Sequence, residues 1–124
     1  MYLIGAPHPH KSDAQVLLER LTVAGQRLVT DAEAVQEILR RCTAIGQRAA
    51  IPAALQMVLT VVDEIFAIEK SDVLRAAEIV QNPLSLSARD AVHIAVMERH
   101  GIRSILSFDA DFDRWPGLTR IYRI

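Results

Sequence analysis

Polar helix starts, each followed by apolar residues at helical spacing, divide the chain into alternating segments. Ser12-Asp13-Ala14-Gln15 has the form of a capping box, in which a hydroxyl serves an orphan backbone N–H and the glutamine reaches back. Ala14, Leu17, Leu18 and Leu21 follow with the helical period, and Gly25 supplies a stop. Arg27-Leu28-Val29 reads as a short strand. Thr30-Asp31-Ala32-Glu33 is a second capping box, opening a helix striped by Val35, Ile38, Leu39, Cys42 and Ile45 and ending near Gly46.

Ala49 to Val62 is apolar nearly all round, which predicts a core helix begun near Pro52. A short strand is expected around Ile65-Phe66-Ala67. Ser71-Asp72 starts a helix through Gln81, with Val73, Ala76, Ala77 and Val80 facing inward, and Asn82-Pro83 ends it. Ser87-Ala88-Arg89-Asp90 is a third capping box, leading a helix to His100 and a stop at Gly101. Ser104 to Phe108 and the alternating Leu118 to Ile124 complete the set as strands. This alternation predicts an α/β fold with a short, mainly parallel sheet. Met1 to Ile4 is apolar but very short, so the chain opens without a convincing strand of its own.

Composition narrows the function classes. The 124 residues suit one domain, and a hydrophobic fraction of 51% argues against disorder. Fourteen Lys+Arg against 15 Asp+Glu leave a formal net charge of −1, so any nucleic acid must be held by a local patch or through a metal ion. Cys42, the single cysteine, cannot form an internal disulfide and fits a reducing compartment. No charged start followed by a long apolar stretch suggests a secretory signal. The longest uncharged run, Ala49 to Val62, falls short of the roughly 18 residues a membrane helix needs. A soluble, cytoplasmic protein is expected.

Three acids stand out by placement. Glu37 lies at the edge of its helix's apolar stripe, Asp90 in the first turn of its helix, and Asp109 directly after a strand. Strand ends and helix starts meet at the carboxyl edge of an open α/β sheet, where ligands gather. Converging carboxylates repel unless a cation sits between them, and oxygen-only ligation favours Mg²⁺ or Mn²⁺ over zinc. The chemistry suited to such a site is phosphodiester hydrolysis. Each acid also has a purely structural reading: Glu37 as an i,i+4 partner of Arg41, Asp90 as part of the Ser87 cap, and Asp109 as a turn or cap residue.

Other constellations fail. Asp109, Asp111 and Asp113 alternate like a calcium loop, but Arg114 stands where that loop needs glycine and Arg120 where it needs glutamate. His8-Pro9-His10 has no further ligand at zinc spacing. His93 shares a helix face with Asp90 and is expected to pack or face solvent; Cys42 reads as a buried thiol without a base. A helical transcription regulator would need a basic recognition helix, which Arg40-Arg41 and the surroundings of Arg89 do not form.

Taken together, the pieces resemble a PIN domain of the VapC-type toxins found in bacterial toxin–antitoxin pairs. Leu86 to His93 is similar to that family's helix start bearing a metal-binding Asp, and Ser104 to Asp113 to its late strand, closing acid and following Phe. Thr30 to Leu39 resembles the helix carrying its glutamate, and Gly5 to His10 the loop that precedes the helix after the family's first strand motif. The resemblance implies a three-layer α/β/α fold and Mg²⁺- or Mn²⁺-dependent endonucleolytic cleavage of RNA, inhibited by a cognate antitoxin. It assigns Glu37, Asp90 and Asp109 to the acidic site, with Asp113 as a fourth candidate ligand.

The start departs from the pattern. Such domains open with a central apolar strand ending in a metal-binding Asp, and here no acid precedes Asp13. Met1 to Gly5 looks like the part just after that motif, which predicts an incomplete N-terminus with the first strand missing or truncated. Two further expectations follow: homodimerisation, from the high apolar content, and, as an alternative function, an inactive PIN-like module that binds an antitoxin or dimerises.

Overall fold

The computed structural model describes residues 1–5, 11–107 and 109–122, with no side chains described for 11–15. The loop histidines and Phe108 therefore lie outside the described residues, as does the Ser12 side chain that the expected cap needs. Strand β1 (Tyr2–Ile4) leads to helix α1 (Lys11–Val23), then β2 (Leu28–Asp31) and α2 (Ala32–Ala44). A 3-10 turn (Arg48–Ala50) precedes α3 (Ile51–Val61), β3 (Glu64–Phe66), α4 (Lys70–Val80) and α5 (Ala88–His100). The chain closes with β4 (Ser104–Leu106), a 3-10 turn (Ala110–Arg114) and β5 (Thr119–Ile121).

All five strands pair in parallel, in the order β3-β2-β1-β4-β5. The period-2 alternation of side chains divides each strand between two cores. Leu3, Val29, Phe66 and Ile105 point to one face, where they pack with Ala76 and Ile79 of α4 and Ile94 and Met97 of α5. Leu28 and Leu106 point to the other, against Leu17 and Leu21 of α1, with Tyr2, Ile4 and Val61 alongside. The result is the expected three-layer α/β/α arrangement.

Four expectations need correction. The central strand is present: Tyr2–Ile4 lies between β2 and β4, Leu3 is fully buried, and its three residues match the length of β3, β4 and β5. Strands of three residues are the rule in this sheet, so a short apolar run at the chain's opening suffices for one. The apolar helix α3 is no core helix, since none of its residues is buried. On α4 the inward positions are Asp72, Ala76 and Ile79, while Val73 is exposed; an ion pair between Asp72 and Arg99 of α5 turns the helix by one position. Finally, Asp31 rather than Thr30 caps α2, accepting from the Ala34 N–H at 3.0 Å. Thr30 stays in the strand, and its hydroxyl donates to the Ile4 carbonyl at 2.7 Å.

Candidate metal centre

The sheet order reverses between β1 and β4, so the crevice beyond their carboxyl ends is a topological switch point. Around it gather the ends of β1 and β2, the start of α5, and the turn after β4. Helix α5 begins with Ser87, whose Oγ accepts the Asp90 N–H at 3.1 Å. Ser87 thus serves the cap, and the Asp90 carboxylate lies buried at the sheet edge. After β4 the Asp109 N–H donates to Ser107 Oγ (3.0 Å), and Asp109 Oδ1 accepts from the Asp111 N–H (2.9 Å). That tight turn presents two acids from one side.

Asp90, Asp109 and Asp111 each offer an oxygen within 4.8 Å of the others. Burial, and then the negative charge of Asp109, push the Asp90 carboxyl above its ordinary value. A buried carboxyl held against a second one has an excess of negative charge that a hard cation relieves, and the donor set is all oxygen. The residues therefore fit a hard divalent cation. Asp111 also pairs with Arg114 at 3.1 Å, which offsets part of that charge.

The other expected site residues lie in arginine pairs. Glu37 is buried on α2, where Arg40 Nε donates at 2.8 Å and Arg89 Nη1 approaches to 2.9 Å. The Arg40 hydrogen bond outweighs burial and, with Arg89, lowers its carboxyl to about 2. Glu37 is thus paired with Arg40 at i+3 and with Arg89 of α5. These groups line a shallow recess of about 340 Å³ between α2 and the start of α5. Asp113 is exposed and gripped by Arg120 through Nε and Nη2, both at 3.0 Å, which lowers its carboxyl. Neither Glu37 nor Asp113 joins the three clustered carboxylates among the described residues.

One buried polar pair escaped the sequence reading. His93 Nδ1 lies 2.6 Å from Asp31 Oδ2, with both side chains almost fully buried. Burial disfavours a charged imidazole, but the hydrogen bond and charge of Asp31, with Asp90 and Glu33 farther off, win and raise the His93 pKa. Asp31 carried the same signal as Asp109, an acid closing an apolar strand, yet it was absorbed into a capping box.

Residues 1–118 match the family model described as PIN domain. The chain belongs to the PIN-domain family. Within it, the chain is 52% identical over 121 residues to Ribonuclease VapC13 of Mycobacterium tuberculosis, covering 98% of this chain and 92% of that one. The solved VapC20 of the same organism, described as a sarcin-ricin loop cleaving toxin, superposes with a TM-score of 0.68 at 21% identity, covering 91% of this chain and 93% of that one. A chain of a toxin–antitoxin complex from Klebsiella pneumoniae gives 0.66 at 15% identity with full coverage of both. These two structures support the fold; the kinship with VapC ribonucleases rests on sequence. No helix among the described residues of this PIN domain is long and apolar enough to cross a membrane.

Proposed function

We propose that this PIN domain is a metal-dependent endoribonuclease toxin of a type II toxin–antitoxin module. The observation that carries the reading is the convergence of Asp90, Asp109 and Asp111 at the switch point, in a chain half identical to a VapC ribonuclease. Asp90 and Asp109 are the principal ligands for Mg²⁺ or Mn²⁺, and Asp111 joins them. A bound divalent ion there supplies an activated water and charge stabilisation for the phosphodiester in the transition state. The Asp111 N–H holds the Asp109 carboxylate and Ser107 Oγ holds the Asp109 backbone N–H, while the Ser87 cap fixes the turn that carries Asp90. Glu37 and Asp113 stand at the margin, and each reaches the cation only by exchanging its arginine partners.

An antitoxin is the proposed protein partner, in keeping with the Klebsiella relative in fold, which was solved in a toxin–antitoxin complex. Exposed Met57 and Leu59 of α3 offer it, or a second copy of the chain, an apolar surface that an anionic RNA strand would not use. One observation favours a second reading, a binding module without strong nuclease activity: the residue after the central strand is Gly5, which carries no acid.

Cleavage of a single-stranded RNA in Mg²⁺ or Mn²⁺ decides between them. Asp90→Asn should abolish cleavage without lowering thermal stability, because it removes one of two repelling carboxylates. Unchanged cleavage in that variant would remove Asp90 from the site, and a parent chain that cuts nothing while still capturing its antitoxin would favour the binding module.

A further inference from the structure

The imidazole of His93 lies among three of the elements that surround the acidic site. It lies one helical turn beyond Asp90, on the same side of α5. Its Nδ1 meets Asp31 at the end of β2, where the same carboxylate caps α2 through the Ala34 N–H. Its ring lies 6.5 Å, centroid to centroid and tilted by 52°, from Phe112 in the turn that carries Asp109 and Asp111. That spacing is within the range of favourable tilted aromatic pairs. One side chain thereby ties the helix bearing Asp90 and the turn bearing the other two acids to the frame of the sheet.

The pair is costly for a fold that wanted only stability. Two ionisable groups are removed from water, and apolar residues of similar volume often serve a core as well or better. Its position at the carboxyl edge, between the elements that deliver the three acids, accounts for it in another way. We propose that Asp31 and His93 are positioning residues for the metal centre, holding Asp90 in register with Asp109 and Asp111. This rests on the acid-site reading above. Neither residue touches substrate or cation in this role.

The test separates the hydrogen bond from its structural surroundings. Asp31→Ser keeps a favourable cap on α2 but cannot reach His93, whereas Asp31→Asn keeps both the cap and a neutral hydrogen bond. Binding of Mn²⁺ alone, followed by electron paramagnetic resonance on the full chain, is the first readout. Asp31→Ser should weaken Mn²⁺ by about tenfold, as loss of the outer partners of metal ligands does, and Asp31→Asn should restore it. With RNA, Asp31→Ser should lower kcat and leave KM near the parent value. If Asp31→Ser does not fold, His93→Asn and His93→Leu replace it, because the asparagine amide still donates to Asp31 and leucine cannot. Retained affinity in the asparagine variant with loss in the leucine variant supports the proposal. Equal Mn²⁺ affinity in parent, Asp31→Ser and His93→Leu overturns it, provided that Asp90→Asn weakens Mn²⁺ in the same assay. If Asp90→Asn binds Mn²⁺ like the parent, the acid-site reading itself falls and takes this inference with it.

Discussion

Helices α3 and α5 invert the usual link between apolar sequence and burial. Helix α3, from Ile51 to Val61, carries no charged residue, yet none of its side chains is buried, and Met57 and Leu59 are 63% and 61% exposed. Helix α5 mixes Arg89, Asp90, His93, Glu98 and Arg99 among its apolar positions, yet it buries Ala91, Ile94, Ala95, Val96 and Met97 together with Asp90 and His93. What separates them is place. Helix α5 lies across the sheet face shared by Leu3, Val29, Phe66 and Ile105, while among the described residues α3 meets the opposite core through Val61 at its end. Hydrophobic content says what a helix can bury; the free area of the sheet decides what it does bury.

The largest effect should fall inside α5. Ile94→Ala removes a side chain that is 1% exposed and packed between the sheet and α4, so urea or thermal unfolding should show a loss of about 2–5 kcal/mol. A smaller value would mean that α4 and α5 collapse around the cavity, and that the packing contrast with α3 is weaker than it looks.

The next effect tests the ionic side of the same contact. Asp72 is 2% exposed and receives Arg99 Nε at 2.8 Å and Nη2 at 2.9 Å, along with the Glu69 N–H. Arg99→Met leaves that carboxylate buried with two hydrogen bonds fewer, which should cost about 1–3 kcal/mol. The pair also sets a pH dependence. The Arg99 hydrogen bond lowers the Asp72 carboxyl, and Arg40 lowers Glu37 to about 2. Folded-state values below the unfolded ones mean that the unfolded chain binds protons first as pH falls. Stability from both carboxylates is therefore complete above the ordinary carboxylate range and drains away as pH drops through that range towards 2. Unfolding midpoints should fall over this window, and Arg99→Met should flatten the part due to Asp72.

The same contrast explains what was legible in the residues. Helix starts were readable because caps are local: Ser87 and Asp90 are three positions apart, and Gly101, in the left-handed region at φ 68°, closes α5 where the pattern stopped. Asp90 and Asp109 were readable because a helix start and a strand end each deliver an acid to one sheet edge. Burial of α3 was not readable, since periodicity carries no information about which sheet face is already covered. The Asp31–His93 bond spans 62 positions, and no local pattern marks such a pair. Asp111 was weighed only as a calcium-loop residue, and its approach to Asp90 depends on the tight turn at Asp109 that spacing alone does not reveal. Glu37 was placed correctly near the buried stripe, but its two arginines come from different helices, and only the packing of α2 beside the start of α5 brings Arg89 to it.

A local cap should matter less than either core contact. Ser87→Ala removes the acceptor of the Asp90 N–H and should cost about 1 kcal/mol, within the range for lost N-caps. Because that N–H belongs to a proposed ligand, RNA cleavage should fall as well, while Ser87→Thr should retain both stability and activity.

The smallest effect should be on α3, and there the contrast between the helices can be broken. Leu59→Ser exchanges an exposed leucine for a polar residue that forms helix somewhat less well, so the isolated chain should change by no more than about 0.5 kcal/mol. Dilute thermal unfolding checks this. The same substitution should weaken capture of the antitoxin if α3 is the apolar surface it covers. A stability loss that grows with protein concentration would instead show a second copy seated on α3, since binding to the folded state adds stability by mass action. In that case the two helices differ in the partner that buries them: the sheet for α5, another molecule for α3.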